Sequence, residues 1–285
     1  MIDTPPFHHV ILTAFNCVRQ KFSLPSYDAI RDRPGWMEER FDLFERYCLP
    51  SVLAQSNQNF TWWIYFDQST REVYLDRARR GFAGRPNCVI KLCSIFGMET
   101  HQADLPAGLD PSRNWVVTTR LDNDDGLQRD FVKKLHEQVR VGSEAALDFP
   151  WGIVLANGVP YLSRQKSNAF ISLSEPLTGA KGVYAIRHKE MSRRYSVQTV
   201  SNDPSWLQSL HGLNYGNKVR GWRIPSAKLP DGFEVGGQLP PDEKSAASIL
   251  LENATAGVGR QFRDWLADNV VNPIRHPPWS RRRDP

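Results

Sequence analysis

Short apolar runs alternate with amphipathic segments over the first half of the chain. Four runs rich in β-branched and aromatic residues predict buried strands at 9–15, 59–66, 88–95 and 115–121. Around them, apolar residues recur three or four positions apart, which predicts helices from residue 35, over 71–81 and around 131–139. Pro50 should kink or end the first helix near Leu49. Because strands and helices alternate, we expect a parallel sheet with right-handed crossover connections.

The second half has shorter, strand-rich patterns. Asn157-Gly158 interrupts an apolar run at 153–162, which predicts a hairpin because both residues tolerate the positive φ of a type I′ turn. Further short strands are expected at 170–173 and 183–186. Asp203 and Pro204 suit the start of a helix. Its apolar face would consist of Trp206, Leu207, Leu210 and Leu213. A last helix is predicted around 262–270.

Together these patterns predict an α/β fold with a Rossmann-like mixed sheet and flanking helices. We expect one main domain at 1–224, with a nucleotide-binding half at about 1–140 and an acceptor half at about 141–224. Residues 225–285 would form a Pro/Gly-rich linker, a terminal helix and a basic tail. A chain of 285 residues is long enough for a substantial core.

The charge of the chain is concentrated in its tail. The net charge is +5, from 36 Lys and Arg against 31 Asp and Glu, but residues 271–285 contribute four Arg and one Asp. The rest of the chain is therefore nearly neutral, which argues against nucleic-acid binding. The basic tail instead predicts weak peripheral contact with the anionic inner face of a membrane. Four cysteines without a C-x-x-C pair, no apolar run long enough to cross a bilayer and an N-terminus unlike a signal peptide predict a cytoplasmic protein.

The densest acidic cluster is Asp122-Asn123-Asp124-Asp125-Gly126, directly after a predicted buried strand. A D-x-D pattern there can hold Mn²⁺ or Mg²⁺ through hard oxygen ligands, and such an ion is usually shared with substrate phosphates. The alternative is an acidic turn without a metal. Motifs of dinucleotide oxidoreductases, P-loop NTPases, α/β-hydrolases and zincin proteases are absent from the sequence, so those classes are disfavoured.

Other candidate residues also follow predicted strands. Ligands of parallel sheets bind beyond the carboxyl ends of the strands, where Asn16 and Asp67 would lie beside the acidic cluster. Asp67 could accept a hydrogen bond from a pyrimidine base or cap the next turn. Arg120 could bind a phosphate in a bidentate manner or neutralise Asp122.

Two further roles each have two candidates. His211, at the end of the predicted helix, could complete a metal site with Asp124, and His188 is the rival. Asp203 could deprotonate an acceptor hydroxyl from the N-terminus of that helix, or it could only cap the helix. Glu175, after a predicted strand, is the alternative base.

Three of these segments resemble the rhamnosyltransferase group of GT-A glycosyltransferases. The segments are Ser56-Asn-Gln-Asn-Phe-Thr-Trp-Trp-Ile-Tyr-Phe-Asp67, Thr119-Arg-Leu-Asp-Asn-Asp-Asp-Gly-Leu127 and Trp206-Leu-Gln-Ser-Leu-His-Gly-Leu-Asn214. The resemblance extends over about 8–220, and Ala14 departs from it because a basic residue is expected there.

The resemblance implies a GT-A fold and a nucleotide-sugar donor. It implies that Asp124 and His211 bind the metal, that Asp122 binds the metal or the donor ribose, and that Thr13 and Asp67 bind the nucleotide base. The function expected is metal-dependent, inverting transfer of a sugar such as L-rhamnose from a dTDP- or UDP-sugar to an oligosaccharide or polysaccharide of a bacterial surface glycan. The alternative is a catalytically inactive GT-A-like domain that binds a glycan or a partner protein.

Overall fold

The structure, a computed structural model, describes residues 4–19, 31–211, 218–237 and 239–266. Its main sheet has seven strands. In spatial order they are β12 (Val197–Thr199), β8 (Ala145–Asp148), β11 (Ser172–Pro176), β6 (Trp115–Arg120), β1 (His8–Ala14), β3 (Thr61–Asp67) and β4 (Cys88–Cys93). The strands β6, β1, β3 and β4 are mutually parallel, whereas β11 runs antiparallel to both β6 and β8. The predicted α/β fold with a mixed sheet is therefore confirmed.

A second sheet of five strands lies in the later part of the chain. Its order is β14 (Trp222–Arg223), β10 (Val159–Arg164), β9 (Trp151–Ala156), β13 (Trp206–Leu210) and β7 (Gly126–Leu127). The β9–β10 hairpin is the predicted one, with positive φ at Asn157 and Gly158. A small ladder joins β2 (Val18–Arg19) to β5 (Ile95–Phe96).

Most helices lie between strands of the main sheet along the chain, and the last two come after the final strand of the second sheet. The α-helices are α1 (Trp36–Leu43), α2 (Leu49–Leu53), α3 (Glu72–Gly81), α4 (Met98–Gly108), α5 (Phe131–Gln138), α6 (Met191–Arg194), α7 (Ala246–Glu252) and α8 (Val258–Leu266). Short 3₁₀ helices span His188–Glu190 and Ser226–Lys228. The sequence pattern predicts α3 and α5 well but misses α4, which has Pro106 inside it, and α7.

The core lies on both faces of the main sheet because its central strands are apolar on both sides. Ile11 and Phe15 belong to the larger cluster, in which the Phe15 ring contacts Phe41 and Phe44, and the Phe44 ring also contacts Trp62. The next positions along β1 point to the opposite cluster, formed with β6, β11 and α4 and including Val10, Leu12, Val116, Ile171 and Leu105. All four cysteines are free thiols.

The first helix continues past Pro50, so it does not end there, which was one of the two predicted outcomes. A π-helical turn at Phe44–Cys48 joins α1 to α2, and Pro50 lies in the first turn of α2. Proline has no N–H to donate to the carbonyl four residues earlier. That carbonyl belongs to Arg46, and it accepts the N–H of Gly236 at 2.6 Å instead. A later loop therefore supplies a donor to the carbonyl that Pro50 cannot satisfy.

The predicted helix from Asp203 is wrong, because this segment forms strand β13. β13 pairs in parallel with β9 and antiparallel with β7, and these two partners satisfy its backbone. Trp206 lies over Gly152, where an added Cβ would be 2.0 Å from the indole ring. Only glycine at this position of β9 allows the stack of Trp206 on Phe170.

The strand predicted at 183–186 is also wrong. Val183 is buried at the edge of a turn, and its N–H donates to the Thr118 hydroxyl at 2.9 Å rather than to a ladder partner. Within the described ranges, no helix combines the length and the apolar character that crossing a bilayer requires.

Candidate functional site

The topology creates a crevice at the carboxyl end of the parallel strands. β1 lies between β3, the next parallel strand of the main sheet along the chain, and β6, the last of the four. The connections from β1 and β6 therefore leave in opposite directions, and ligands bind at such switch points. The ends of β1, β3 and β6 carry Asn16, Asp67 and the acidic cluster, as the sequence predicts.

Asp124 is buried between two basic side chains. Its Oδ2 accepts a hydrogen bond from Arg40 Nη1 at 2.6 Å and lies 3.0 Å from His211 Nε2. Burial alone would raise the pKa of this carboxyl, but the Arg40 charge and the His211 hydrogen bond outweigh it and hold the pKa below its usual range. Asp124 and His211 are therefore in contact, and their roles as ligands of one metal ion stay a prediction.

His211 reaches this position by a different route from the predicted one. It directly follows β13 rather than a helix. Asp125 holds β13 in place, since its Oδ1 accepts the N–H of Ser209 at 2.9 Å. Asn123 ties the same turn to the end of β1 by donating to the Phe15 carbonyl at 2.9 Å.

Asp122 faces a different neighbour from Asp124. Its Oδ2 accepts a hydrogen bond from Arg120 Nη2 at 2.8 Å, and the Arg120 guanidinium lies over the Tyr184 ring. Two roles are predicted for Arg120, phosphate binding and neutralisation of Asp122. In this structure Arg120 forms the ion pair with Asp122.

The arrangement does not fit a divalent cation as it stands. Each of the two D-x-D carboxylates already forms an ion pair with an arginine. A cation bound to Asp124 Oδ2 would be repelled by the Arg40 guanidinium. Across the described ranges, no three His, Cys, Asp or Glu side chains converge as a metal site. The predicted Mn²⁺ or Mg²⁺ stays a prediction.

The residues predicted to bind the nucleotide differ in their availability. Thr13 is fully buried, and its hydroxyl accepts the Trp62 indole N–H at 2.9 Å, so it does not face the crevice. Asn16 accepts the N–H of Asp67 at 2.9 Å and donates to Thr70. Asp67 itself caps the turn at Ser69 through the backbone N–H and the hydroxyl.

Neither predicted base lies beside the acidic cluster. Asp203 precedes β13 and His211 follows it, so seven residues lie between them, and the five that form β13 alone span roughly 16 Å. Asp203 is exposed and pairs with Lys134 at 2.8 Å instead of capping a helix. Glu175 lies opposite Val116, at the far end of β6 from the acidic cluster.

The surroundings of Glu175 indicate a structural role. Its carboxylate is buried and accepts the N–H groups of Lys181 and Gly182, at 3.0 and 2.8 Å. Burial raises the pKa of Glu175 in spite of these two hydrogen bonds. The carboxylate thus holds the turn after β11 rather than facing the crevice.

A cavity of about 430 Å³ adjoins Asp122 on the side of the second sheet. His188 lines it, and its Nδ1–H donates to the Ser167 carbonyl at 2.6 Å. Burial lowers the pKa of His188 to about 4, so the imidazole is neutral near pH 7. α8 also reaches the cavity through Arg263 and Asp264.

Arg40 is the main site residue that the sequence analysis missed. A signal for it exists, because Arg40 lies three residues after Met37 and four before Phe44, on the apolar face of α1. A charged residue on such a face must be buried and paired. The partner is an aspartate 84 positions away, which the sequence alone does not indicate.

Comparison with known proteins gives one family match. The sequence profile of the family described as "Putative rhamnosyl transferase" matches residues 13–223. No curated protein sequence matches the chain.

Among solved structures, S. aureus TarS 1-349 in complex with UDP is 11% identical, with a TM-score of 0.44 over 72% of this chain and 60% of that one. The same TarS fragment in complex with UDP-GlcNAc is 10% identical, with a TM-score of 0.42 over 72% and 59%. The inositol-1-phosphate CTP transferase from T. maritima is 9% identical, with a TM-score of 0.35 over 72% and 90%. The chain thus spans about 60% of the length of the TarS fragment.

The family profile extends from Thr13 in β1 to Arg223 in β14. It therefore includes the crevice, the acidic cluster and the two strands that Asp122 and His211 follow. The chain belongs to the family described as "Putative rhamnosyl transferase".

Proposed function

We propose that this protein transfers a rhamnosyl group from a nucleoside-diphosphate donor to a hydroxyl of an oligosaccharide or polysaccharide, with inversion. The observation that supports this function best is the acidic cluster at the switch point, where Asp124 and Asp122 hold Arg40 and Arg120. Family membership supports the sugar-transfer chemistry.

The donor would lie across the carboxyl ends of β3, β1 and β6. Its nucleotide would lie on the side of Asn16 and Asp67, and its diphosphate near the acidic cluster. The diphosphate gains negative charge as the glycosidic bond breaks, and cationic groups already held in place stabilise such charge. Arg120 borders the adjoining cavity and is positioned for this role. Arg40 would contribute to this positive charge indirectly, through its hydrogen bond to Asp124.

Donor binding tests the proposal directly. dTDP, UDP, dTDP-L-rhamnose and UDP-sugars are each added to the full chain, and the melting temperature and the release of nucleoside diphosphate are measured. A ligand at about 100 times its Kd should stabilise the fold by about 2.7 kcal/mol. Each titration is repeated with Mn²⁺, with Mg²⁺ and with EDTA, so that the predicted cofactor is tested in the same series.

The outcomes separate the two functions under consideration. Stabilisation by a nucleoside diphosphate together with donor turnover supports glycosyl transfer. If no nucleotide or nucleotide sugar stabilises the chain, the catalytic proposal is wrong, and the alternative of a glycan- or partner-binding domain is supported. The anomeric configuration of the product, read by NMR, decides between inversion and retention.

We also propose that the C-terminal helices attach the enzyme weakly to an anionic membrane surface. Five large apolar side chains of α7 and α8 are more than half exposed, namely Leu250, Leu251, Val258, Phe262 and Trp265. Val258, Phe262 and Trp265 share one face of α8 at helical spacing. Exposed aromatic residues on an amphipathic helix are typical of interfacial binding. The arginines at 275 and 281–283, outside the described residues, would add about 1 kcal/mol each near an anionic surface.

Vesicle sedimentation tests this attachment. Wild-type protein should bind vesicles that contain phosphatidylglycerol, and salt, deletion of residues 271–285 or the pair Phe262→Gln and Trp265→Gln should each weaken the binding. Val73→Gln is the matched control, since Val73 is similarly exposed on α3. Equal binding by the wild type and the α8 double variant would contradict the proposal.

A further inference from the structure

The cavity beside Asp122 has an excess of positive charge. Five of its lining residues are basic, namely Arg120, Lys189, Lys218, Arg220 and Arg263, and two are acidic, namely Asp122 and Asp264. His188 adds no charge because burial keeps it neutral. The formal charge of the lining is therefore +3, in a chain whose residues before the tail are nearly neutral.

The internal ion pairs of the cavity already satisfy its carboxylates. Asp122 pairs with Arg120 at 2.8 Å, and Asp264 pairs with Arg263 at 2.9 Å and lies 4.0 Å from Arg220. In the part of the chain that the structure describes, no carboxylate pairs with Lys189 or Lys218. Lys189 lies in the 3₁₀ helix His188–Glu190, and Lys218 lies just before β14, so two separate segments of the chain supply these ammonium groups. A ligand with a negatively charged group would form ion pairs with both ammonium groups.

The position of the cavity separates it from the predicted nucleotide side. Its walls come from β13, from the turn before β11 and from α8, whereas Asn16 and Asp67 do not line it. Arg120 and Asp122 are the elements that the cavity shares with the donor crevice. The volume of about 430 Å³ lies within the usual range for small-ligand pockets.

Resting on the proposed function, we propose that this cavity binds the acceptor through an anionic group, so that the acceptor glycan carries a carboxylate or a phosphate beside the hydroxyl that is glycosylated. Lys189 and Lys218 contact the anionic group. Polar side chains of the cavity, such as Gln165 and Gln208, contact the sugar hydroxyls. A neutral acceptor would offer no negative group to Lys189 and Lys218.

Small probes in the presence of saturating nucleoside diphosphate test this inference. The probes are methyl glucuronide for a carboxylate, glycerol 3-phosphate for a phosphate, and methyl glucoside as the neutral comparison, with binding measured by ligand-observed NMR. We expect at least one anionic probe to bind at least tenfold more tightly than methyl glucoside, and the binding to weaken with added NaCl. Which anionic probe binds more tightly identifies the acceptor group.

Matched variants connect the binding to this cavity. Lys189→Gln and Lys218→Gln should each weaken the anionic probe several-fold and leave the affinity for the nucleoside diphosphate unchanged. Lys228→Gln is the control, since Lys228 is exposed and lies outside the cavity lining. Equal affinity for the neutral and anionic probes, or no binding of either anion, would overturn the inference.

Competition separates this inference from the proposed function. If the nucleoside diphosphate displaces the anionic probe, the cavity is where the donor phosphates bind, and the acceptor inference is wrong while donor binding stands. If the nucleoside diphosphate does not bind at all, the proposed function fails, and that result is visible before any probe is added.

Discussion

Asp124→Asn should reduce donor turnover by at least about a hundredfold. Asp124 holds both Arg40 and His211, at 2.6 and 3.0 Å, at the edge where the donor diphosphate is proposed to lie. Asparagine carries no negative charge, so it cannot hold the Arg40 guanidinium and the His211 imidazole as the carboxylate does. The Arg40 and His211 side chains would then lose their fixed positions. A displacement of about 1 Å in a catalytic constellation can cost about a hundredfold in rate. Turnover is measured as the release of nucleoside diphosphate at saturating donor.

Asp203→Asn is the matched control for this experiment. It makes the same chemical change at an exposed carboxylate whose partner is Lys134, separated from His211 by the length of β13. We expect this variant to retain turnover and stability near those of the wild type. If Asp203→Asn stops transfer and Asp124→Asn does not, the site lies at the other end of β13 and the proposed location of the donor is wrong. A split between kcat and KM shows whether Asp124 acts on the reaction or on donor binding.

The parallel half of the fold could be predicted from the sequence because its strands are apolar on both faces. The segments at β1, β3, β4 and β6 are continuous apolar runs, and helix α3 lies between two of them with regular spacing. Such patterns are local, so they require no knowledge of partners. The carboxyl ends of the strands then follow, which is why Asn16, Asp67 and the acidic cluster were placed correctly.

The second half could not be predicted in the same way because its structure depends on distant partners. Trp206, Leu207 and Leu210 are spaced as on a helix, yet the segment is a strand since β9 and β7 pair with it and Gly152 makes room for Trp206. Because this segment is a strand, Asp203 has no helix to cap, and its predicted role as an N-cap is wrong. The family resemblance still brings His211 into one site with Asp124, because it depends on the motif and not on the secondary structure, and the two side chains lie 3.0 Å apart.

Arg40→Met should lower the free energy of unfolding by about 3–5 kcal/mol, because it leaves the buried Asp124 without its cation. Methionine keeps much of the volume and the contact with the apolar face of α1, so the loss reports the charge rather than a cavity. The measurement is urea denaturation at neutral pH. Arg79→Met is the control, since Arg79 forms ion pairs with Glu72 and Asp76 on the exposed surface of α3, and its loss should change the free energy of unfolding far less than the loss of Arg40.

A double variant distinguishes the ion pair from the packing of Arg40. In Arg40→Met combined with Asp124→Leu, no buried charge is left unpaired, so the loss should be smaller than the sum of the single losses. Additive losses would show that the guanidinium and the carboxylate do not depend on each other, and the interpretation of Arg40 as the cation that neutralises Asp124 would then be wrong.

The same single variant also decides the place of a metal ion in this site. Asp124 Oδ2 and His211 Nε2 lie 3.0 Å apart, a spacing that two ligands of one cation can adopt, and Arg40 is the positive charge that opposes an ion between them. If Arg40 holds Asp124 in the working enzyme, Mn²⁺ should raise the melting temperature of Arg40→Met more than that of the wild type, and His211→Ala added to Arg40→Met should remove the effect. If Mn²⁺ instead stabilises the wild type more strongly, and does so with nucleoside diphosphate present, Arg40 must leave Asp124 when the donor binds. The D-x-D motif would then act as the metal site that the sequence predicts, with Arg40 available to the departing diphosphate.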